Sequence, residues 1–134
     1  MHDLNALALT ASMLAPLAGC GTSSLGVPPA PRFRFRETGT PALVRFEVTN
    51  ARGLAQADTL LHSGEVRWAA GTPRRGDGGF NAPWHWYLDP TTVSFAQVTI
   101  EACQTGAAGV EDNLDYWLRF GQVCIPGVVE AREQ

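Results

Sequence analysis

The sequence predicts an α+β domain: a mainly antiparallel sheet of four to six strands, two short helices packed on it, and one disulfide. Three observations carry that prediction. Two segments alternate apolar and charged residues with a period of two, two others repeat apolar residues at helical spacing, and two cysteines lie far from the apolar leader.

The first strand is expected over residues 32–37, where Phe33 and Phe35 share one face and Arg32, Arg34 and Arg36 the other. After the turn residues Thr38, Gly39, Thr40 and Pro41, residues 43–49 alternate again, with Val44, Phe46 and Val48 inward and Arg45 and Glu47 outward. The pair reads as an antiparallel hairpin whose arginines form a solvated face, with an acidic glycan or other anion as the alternative use. Asn50 is a suitable helix cap, and Leu54, Ala57, Leu60 and Leu61 then recur at helical spacing until Ser63 and Gly64. Gly53 in the first turn argues against that helix.

Residues 65–70 read as a third strand, and residues 71–79 as a loop too rich in glycine to be regular. That loop holds Arg74, Arg75, Gly76 and Asp77, the last three matching the tripeptide read by animal adhesion receptors; a mobile loop is the default reading. Next come Trp84, His85, Trp86 and Tyr87, then Leu88, Asp89 and Pro90. Alternation places Trp84, Trp86 and Leu88 on one face and His85 and Tyr87 on the other, with Asp89 and Pro90 turning the chain. A buried Trp calls for an acceptor for its indole N–H. Residues 93–103 are expected to form a strand with a bulge near Ala96 and Gln97, because Val93 and Phe95 are out of phase with Val98, Ile100 and Ala102. Val110, Leu114, Trp117 and Leu118 define a second amphipathic helix, with Glu111, Asp112 and Asp115 off its apolar face. A last strand is expected over residues 122–125, followed by a tail over residues 128–134 that is frayed or lies against the surface.

Composition narrows the function classes. The chain has 134 residues, and all 10 of its Lys and Arg positions are arginine against 13 acids, for a net charge of -3. Lysine-based chemistry is excluded, and the acidic balance leaves no electrostatic footprint for nucleic acid. A mean hydropathy of -0.06 does not suit a polytopic membrane protein.

Residues 4–18 form an apolar run too short to span a bilayer, and they lead into Leu17, Ala18, Gly19 and Cys20. Those four residues resemble the lipobox of bacterial lipoproteins. The resemblance implies a signal peptide over residues 1–19, a lipidated Cys20, and a Gly/Ser/Pro-rich tether through residue 31, with a single domain over residues 32–134. The implied place is the bacterial cell envelope, at the outer membrane or cell surface, since Gly21 and not Asp follows the cysteine. With Cys20 taken as the lipid carrier, Cys103 and Cys124 remain as an even pair in an oxidising compartment and are expected to be bridged, worth about 3 kcal/mol.

Asn81, Pro83, Trp84 and Trp86, then Leu88, Asp89 and Pro90, then Glu101 and Cys103, then Val110, Glu111, Asp112, Asn113, Leu114 and Asp115 form a pattern. It resembles a small domain found in exported bacterial and fungal proteins and in a slime-mould protein, some members of which carry a calmodulin-binding label. Gln104 departs from the acid usual there. The resemblance brings no catalytic residue with it.

The chain has no metal-ligand spacing, no nucleophile elbow and no phosphate-binding glycine pattern, so no catalytic, metal or cofactor residue is assigned. The expected function is a lipid-anchored, non-catalytic binding module for a protein or glycan ligand. Its candidate surface is Trp84, His85, Trp86, Tyr87, Asp89, Arg74 and Arg75. The alternatives are a surface-tethered inhibitor of extracellular peptidases, using residues 71–83 as a wedge, and a structural envelope protein.

Overall fold

The computed structural model describes residues 28–133; the expected signal peptide and Cys20 lie outside them. Seven strands and three α-helices follow in chain order. They are β1 (Arg32–Glu37), β2 (Leu43–Glu47), α1 (Ala51–Ser63), β3 (Arg67–Gly71), β4 (Pro73–Arg75), β5 (Trp86–Leu88), β6 (Ser94–Ala96), α2 (Ala107–Asp112), α3 (Leu114–Phe120) and β7 (Val123–Glu133). A 3-10 turn, Glu101–Cys103, precedes α2. The main sheet is antiparallel in the order β2-β1-β7-β3-β6, and β4 and β5 form a separate two-stranded sheet.

The β1–β2 hairpin forms in the register that its alternation requires, with Phe33 opposite Phe46 and Phe35 opposite Val44. Those four side chains join one buried cluster with Ala57 and Leu60 of α1, Trp86 and Leu88 of β5, Val110 of α2, Trp117 of α3, and Val123, Ile125 and Val129 of β7. Each large apolar side chain so buried contributes about 2–3 kcal/mol. Helix α1 starts where its cap predicts, since the Asn50 side chain accepts from the Gly53 N–H. Gly53 is there for space: a Cβ would stand 2.2 Å from the Val93 carbonyl oxygen.

Four expectations are corrected. The tail is a strand, and β7 lies at the centre of the sheet between β1 and β3. Pro126 is tolerated there because its nitrogen faces the same side as its carbonyl, which accepts from Thr38 just past the end of β1, so no ladder bond is lost. Gly127 is required by close approach, since a Cβ would meet the Arg36 carbonyl oxygen and the Phe35 ring. The segment 71–79 is only half loop, because Pro73, Arg74 and Arg75 pair with Leu88, Tyr87 and Trp86. The strand expected over residues 93–103 shrinks to β6; Val98 and Ile100 stay 81% and 63% exposed while the chain turns to deliver Cys103. The single helix expected around Val110 to Leu118 breaks at Asn113, whose side-chain amide donates to the Gly109 carbonyl in competition with the backbone. The helix count rises accordingly from two to three.

The opposite face of the sheet is divided. At the β3–β7 end Cys103 and Cys124 are bridged and packed with Ala70 and Trp68. At the β2–β1 end the arginines are paired, with Arg32 on Glu47, Arg34 and Arg36 on Glu130, and Arg34 and Arg45 on Glu133. Glu130 and Glu133 are three apart and would face opposite ways in a regular strand. The register shifts between Arg34 and Phe35, whose partners are Ala131 and Val129, so Glu130 is the extra residue of a bulge. That bulge turns both glutamates to the arginine face and sends Arg132 to the other, over the Phe33 ring and onto Asp58 of α1.

Candidate functional site

The segment between β4 and β5 is folded on itself by its own polar groups. The Asp77 carbonyl accepts from the Phe80 and Asn81 N–H groups, its carboxylate accepts from Gly79, and Gly76 N–H closes the hairpin onto the His85 carbonyl. Asn81 is buried, and its amide does two jobs: the oxygen accepts from Arg45 N–H at 2.8 Å and the nitrogen donates to the Trp86 carbonyl at 2.7 Å. Two residues beyond Ala82, the Trp84 indole donates to the Leu43 carbonyl at 2.8 Å. Strand β2 is the edge of the sheet, and an unpaired edge invites association with other chains. Here two side chains stand in for a neighbouring strand at Leu43 and Arg45.

The Leu88, Asp89 and Pro90 turn is equally structural. The Asp89 carboxylate accepts from the backbone and hydroxyl of Thr91 and from Arg74. Those bonds, Thr91 first, hold its carboxyl below the ordinary range against the opposing effect of burial. The Pro90 carbonyl then accepts from Thr49, and the Asn50 amide donates to Val93, which fixes the start of α1.

Between the β4–β5 hairpin and the broken helix lies a polar cleft of about 470 Å³, lined among others by Arg75, Glu111, Asp112, Asn113, Asp115 and Tyr116. Two contacts close its sides. Glu111 accepts from the His85 backbone N–H at 2.9 Å and meets its ring Nδ1 at 2.5 Å, and Arg75 reaches Asp115 at 2.7 Å. Burial works against ionisation of Glu111, but the His85 contacts outweigh it and leave the carboxyl lowered. The Arg75 hydrogen bond lowers Asp115. The His85 side chain is 81% exposed, and Arg75 and Asp115 are open to solvent as well. Next to His85, Trp84 lines a second hollow of about 360 Å³ with Glu37, Thr40, Pro41, Ala42 and Ala108.

These pairings imply acid sensitivity. On the opposite face, Arg36 and then Arg34 pull Glu130 below the ordinary glutamate value of 4.5. A carboxyl whose folded value is depressed stabilises the fold above its unfolded value and loses that contribution as pH falls through the folded one. Resistance to urea is therefore expected to stay level from neutral pH to about pH 5 and to decline below that. Glu130→Gln should flatten the decline; an equally steep loss in that variant would remove Glu130 from the account.

The candidate residues thus divide. Trp84, His85 and Arg75 reach the surface beside α2 and α3, while Arg74 pairs with Asp89 at the turn. Trp86 is corrected from surface to core: it is fully buried, and its indole N–H finds no acceptor among the described residues. Tyr87 is half-buried, edge-on to Phe80. Glu37, Asn81 as an edge clamp and Tyr116 were not singled out, and Glu111 and Asp115 were read only as the polar side of a helix, because Glu37, Asn81, Glu111 and Asp115 act through partners distant in sequence. Among the described residues, no group of three His, Cys, Asp or Glu side chains is placed to hold a metal, and no helix is long and apolar enough to cross a membrane.

The segment carrying this architecture, from the residues before β1 to Gly127 in β7, is matched by the model of the BP-74 N-terminal domain over residues 30–127. The chain belongs to the BP-74 N-terminal domain family. Comparison with curated proteins and with solved structures finds no match. In this BP-74 N-terminal domain the Asn81, Trp84 and Asp89 positions hold the hairpin, the sheet edge and the turn before α1 together, while the His85 side chain and the cleft face solvent.

Proposed function

We propose that this protein is a lipid-anchored binding module of the bacterial cell envelope, tethered through Cys20, that takes a protein or glycan ligand where the β4–β5 hairpin meets α2 and α3. The observation that carries the recognition surface is the cleft itself. The break at Asn113 opens a hollow in which carboxylates, an amide, a guanidinium and the Tyr116 ring stand side by side, next to the exposed His85. Such a surface offers both hydrogen-bond donors and acceptors with an aromatic wall, the mixture that recognition patches use. The lipobox resemblance supports the anchor, and at ~0.8 kcal/mol per buried methylene several acyl chains hold firmly.

The test has two arms. Intact mass and membrane fractionation of the protein expressed with its own leader should give residues 20–134 plus acyl chains, in the membrane fraction, and Cys20→Ser should release it. Retention of an unprocessed chain in the cytosol would overturn the anchor. In the second arm, envelope glycans and envelope proteins captured by the wild type should be lost on Arg75→Ala combined with Asp115→Ala, both exposed and away from the core. Undiminished capture by that double variant would overturn the cleft as the recognition surface.

A further inference from the structure

The hollow beside Trp84 holds a charge that the fold leaves half-used. Glu37 ends β1 on the core side and is only 8% exposed. One carboxylate oxygen accepts from the Ala107 N–H at 2.7 Å, at the start of α2. The other lies over the bare Cα of Gly106 and accepts no hydrogen bond among the described residues; Glu37 also has no ion-pair partner among them. The second oxygen is left to the hollow, which it lines in contact with solvent, and a neutral side chain would serve equally well to receive Ala107.

The rest of the lining narrows what would complete it. The Trp84 indole N–H is spent on Leu43, so that wall offers ring surface and no donor. Pro41 has no N–H, and the Ala42 N–H is taken by the Thr40 hydroxyl oxygen. Ala42 and Ala108 add apolar surface. Arg36 does reach the Pro41 carbonyl, but it projects from the other face of the sheet and is held by Glu130. The hollow therefore presents the Glu37 carboxylate at its base, an aromatic wall and apolar sides, with the Thr40 hydroxyl as its one further polar side chain. An anion would meet the carboxylate with only that neutral hydroxyl to receive it, whereas a cation on a short apolar stem is complementary to the carboxylate, the ring and the apolar sides.

We propose that this cavity binds an alkylammonium group, with Glu37 as its counter-ion and Trp84 as its aromatic wall. This deepens the binding-module reading by naming a ligand class, but it is tested without reference to Cys20 or the cleft, so either can fail alone.

The experiment follows the Trp84 indole N–H by NMR while n-butylammonium is titrated into the full chain, with n-butanol as the uncharged counterpart of the same shape. Butylammonium should shift that signal and bind about tenfold more tightly than butanol, the ratio expected of a charge-assisted hydrogen bond. Glu37→Gln keeps an oxygen for Ala107 and should lose the same factor with an unchanged melting temperature. Ala108→Leu, at an exposed helix position, should block both ligands by filling the hollow, which keeps the test decisive if the Glu37 variant does not fold. Equal binding of amine and alcohol, an unaffected Glu37→Gln, or no shift in the wild type would each overturn the proposal. Acetyl-lysine methylamide distinguishes the source: binding at least as tight as butylammonium points to a partner's lysine side chain, and exclusion by its backbone points to a free amine.

Discussion

Ending the chain at Ile125 is expected to abolish folding. The residues removed look expendable, since they include Pro126 and Gly127 and then seven positions of no helical periodicity. Yet Gly127, Val128, Val129, Ala131, Arg132 and Glu133 are the partners of every residue of β1. Without them the β1–β2 hairpin has no neighbour, because β3 joins the sheet only through β7. Phe33, Phe35 and Phe46 would lose the wall formed by Val129, and Arg34, Arg36 and Arg45 would lose Glu130 and Glu133. A small domain has only ~5–15 kcal/mol of net stability, and an isolated hairpin is marginal by itself. The truncated chain should show no cooperative melting transition and no near-ultraviolet dichroism. Val98→Ser, at an 81% exposed site, should melt like the wild type. A cooperative transition in the truncated protein would mean that β7 is not the central strand.

Asn81→Ala should cost the most of any single polar substitution. It leaves the Arg45 N–H at the edge of β2 and the Trp86 carbonyl in β5 without partners, both next to the core. Each unsatisfied buried group costs ~1–3 kcal/mol, so the pair should reduce unfolding free energy by about 2–6 kcal/mol in urea titration. Asn81→Asp separates the two bonds. Its oxygen still accepts from Arg45, but no donor remains for Trp86, and a carboxylate replaces an amide at a site that is 1% exposed. The aspartate should therefore be no better than the alanine at neutral pH. If Asn81→Asp were as stable as wild type, the bond to Trp86 would be dispensable and the clamp would reduce to Arg45 alone. The released Arg45 N–H at the edge of β2 should also make Asn81→Ala more prone to associate.

Much of this was legible in the sequence. The β1–β2 hairpin, α1 with its Asn50 cap and the bridge between Cys103 and Cys124 all rest on signals within a few residues or on a count of cysteines. Alternation also puts Trp86 and Leu88 on one face, which the structure buries, so Trp86 does not belong to the binding surface expected for it. What was misread follows one rule. The strand expected over residues 122–125 fell short of Pro126 and Gly127, because the chain alone does not reveal that the missing N–H of Pro126 falls past the end of β1 or that Gly127 makes room for the Phe35 ring. Asn113 read as a residue within one helix, since its amide has a choice between solvent and the Gly109 carbonyl that only packing of Val110 and Trp117 decides.

The sequence by itself determined the class of fold, the hairpin, the first helix and the residue types available for recognition, because period, capping and turn chemistry are local. Tertiary structure decided the strand order, the bulge that turns Glu130 and Glu133 to one face, and the meeting of Glu37 with Trp84 and of His85 with Glu111. Those arrangements join residues up to about a hundred positions apart, and their free energy comes from burial and hydrogen-bond satisfaction that exist only once the whole sheet has formed.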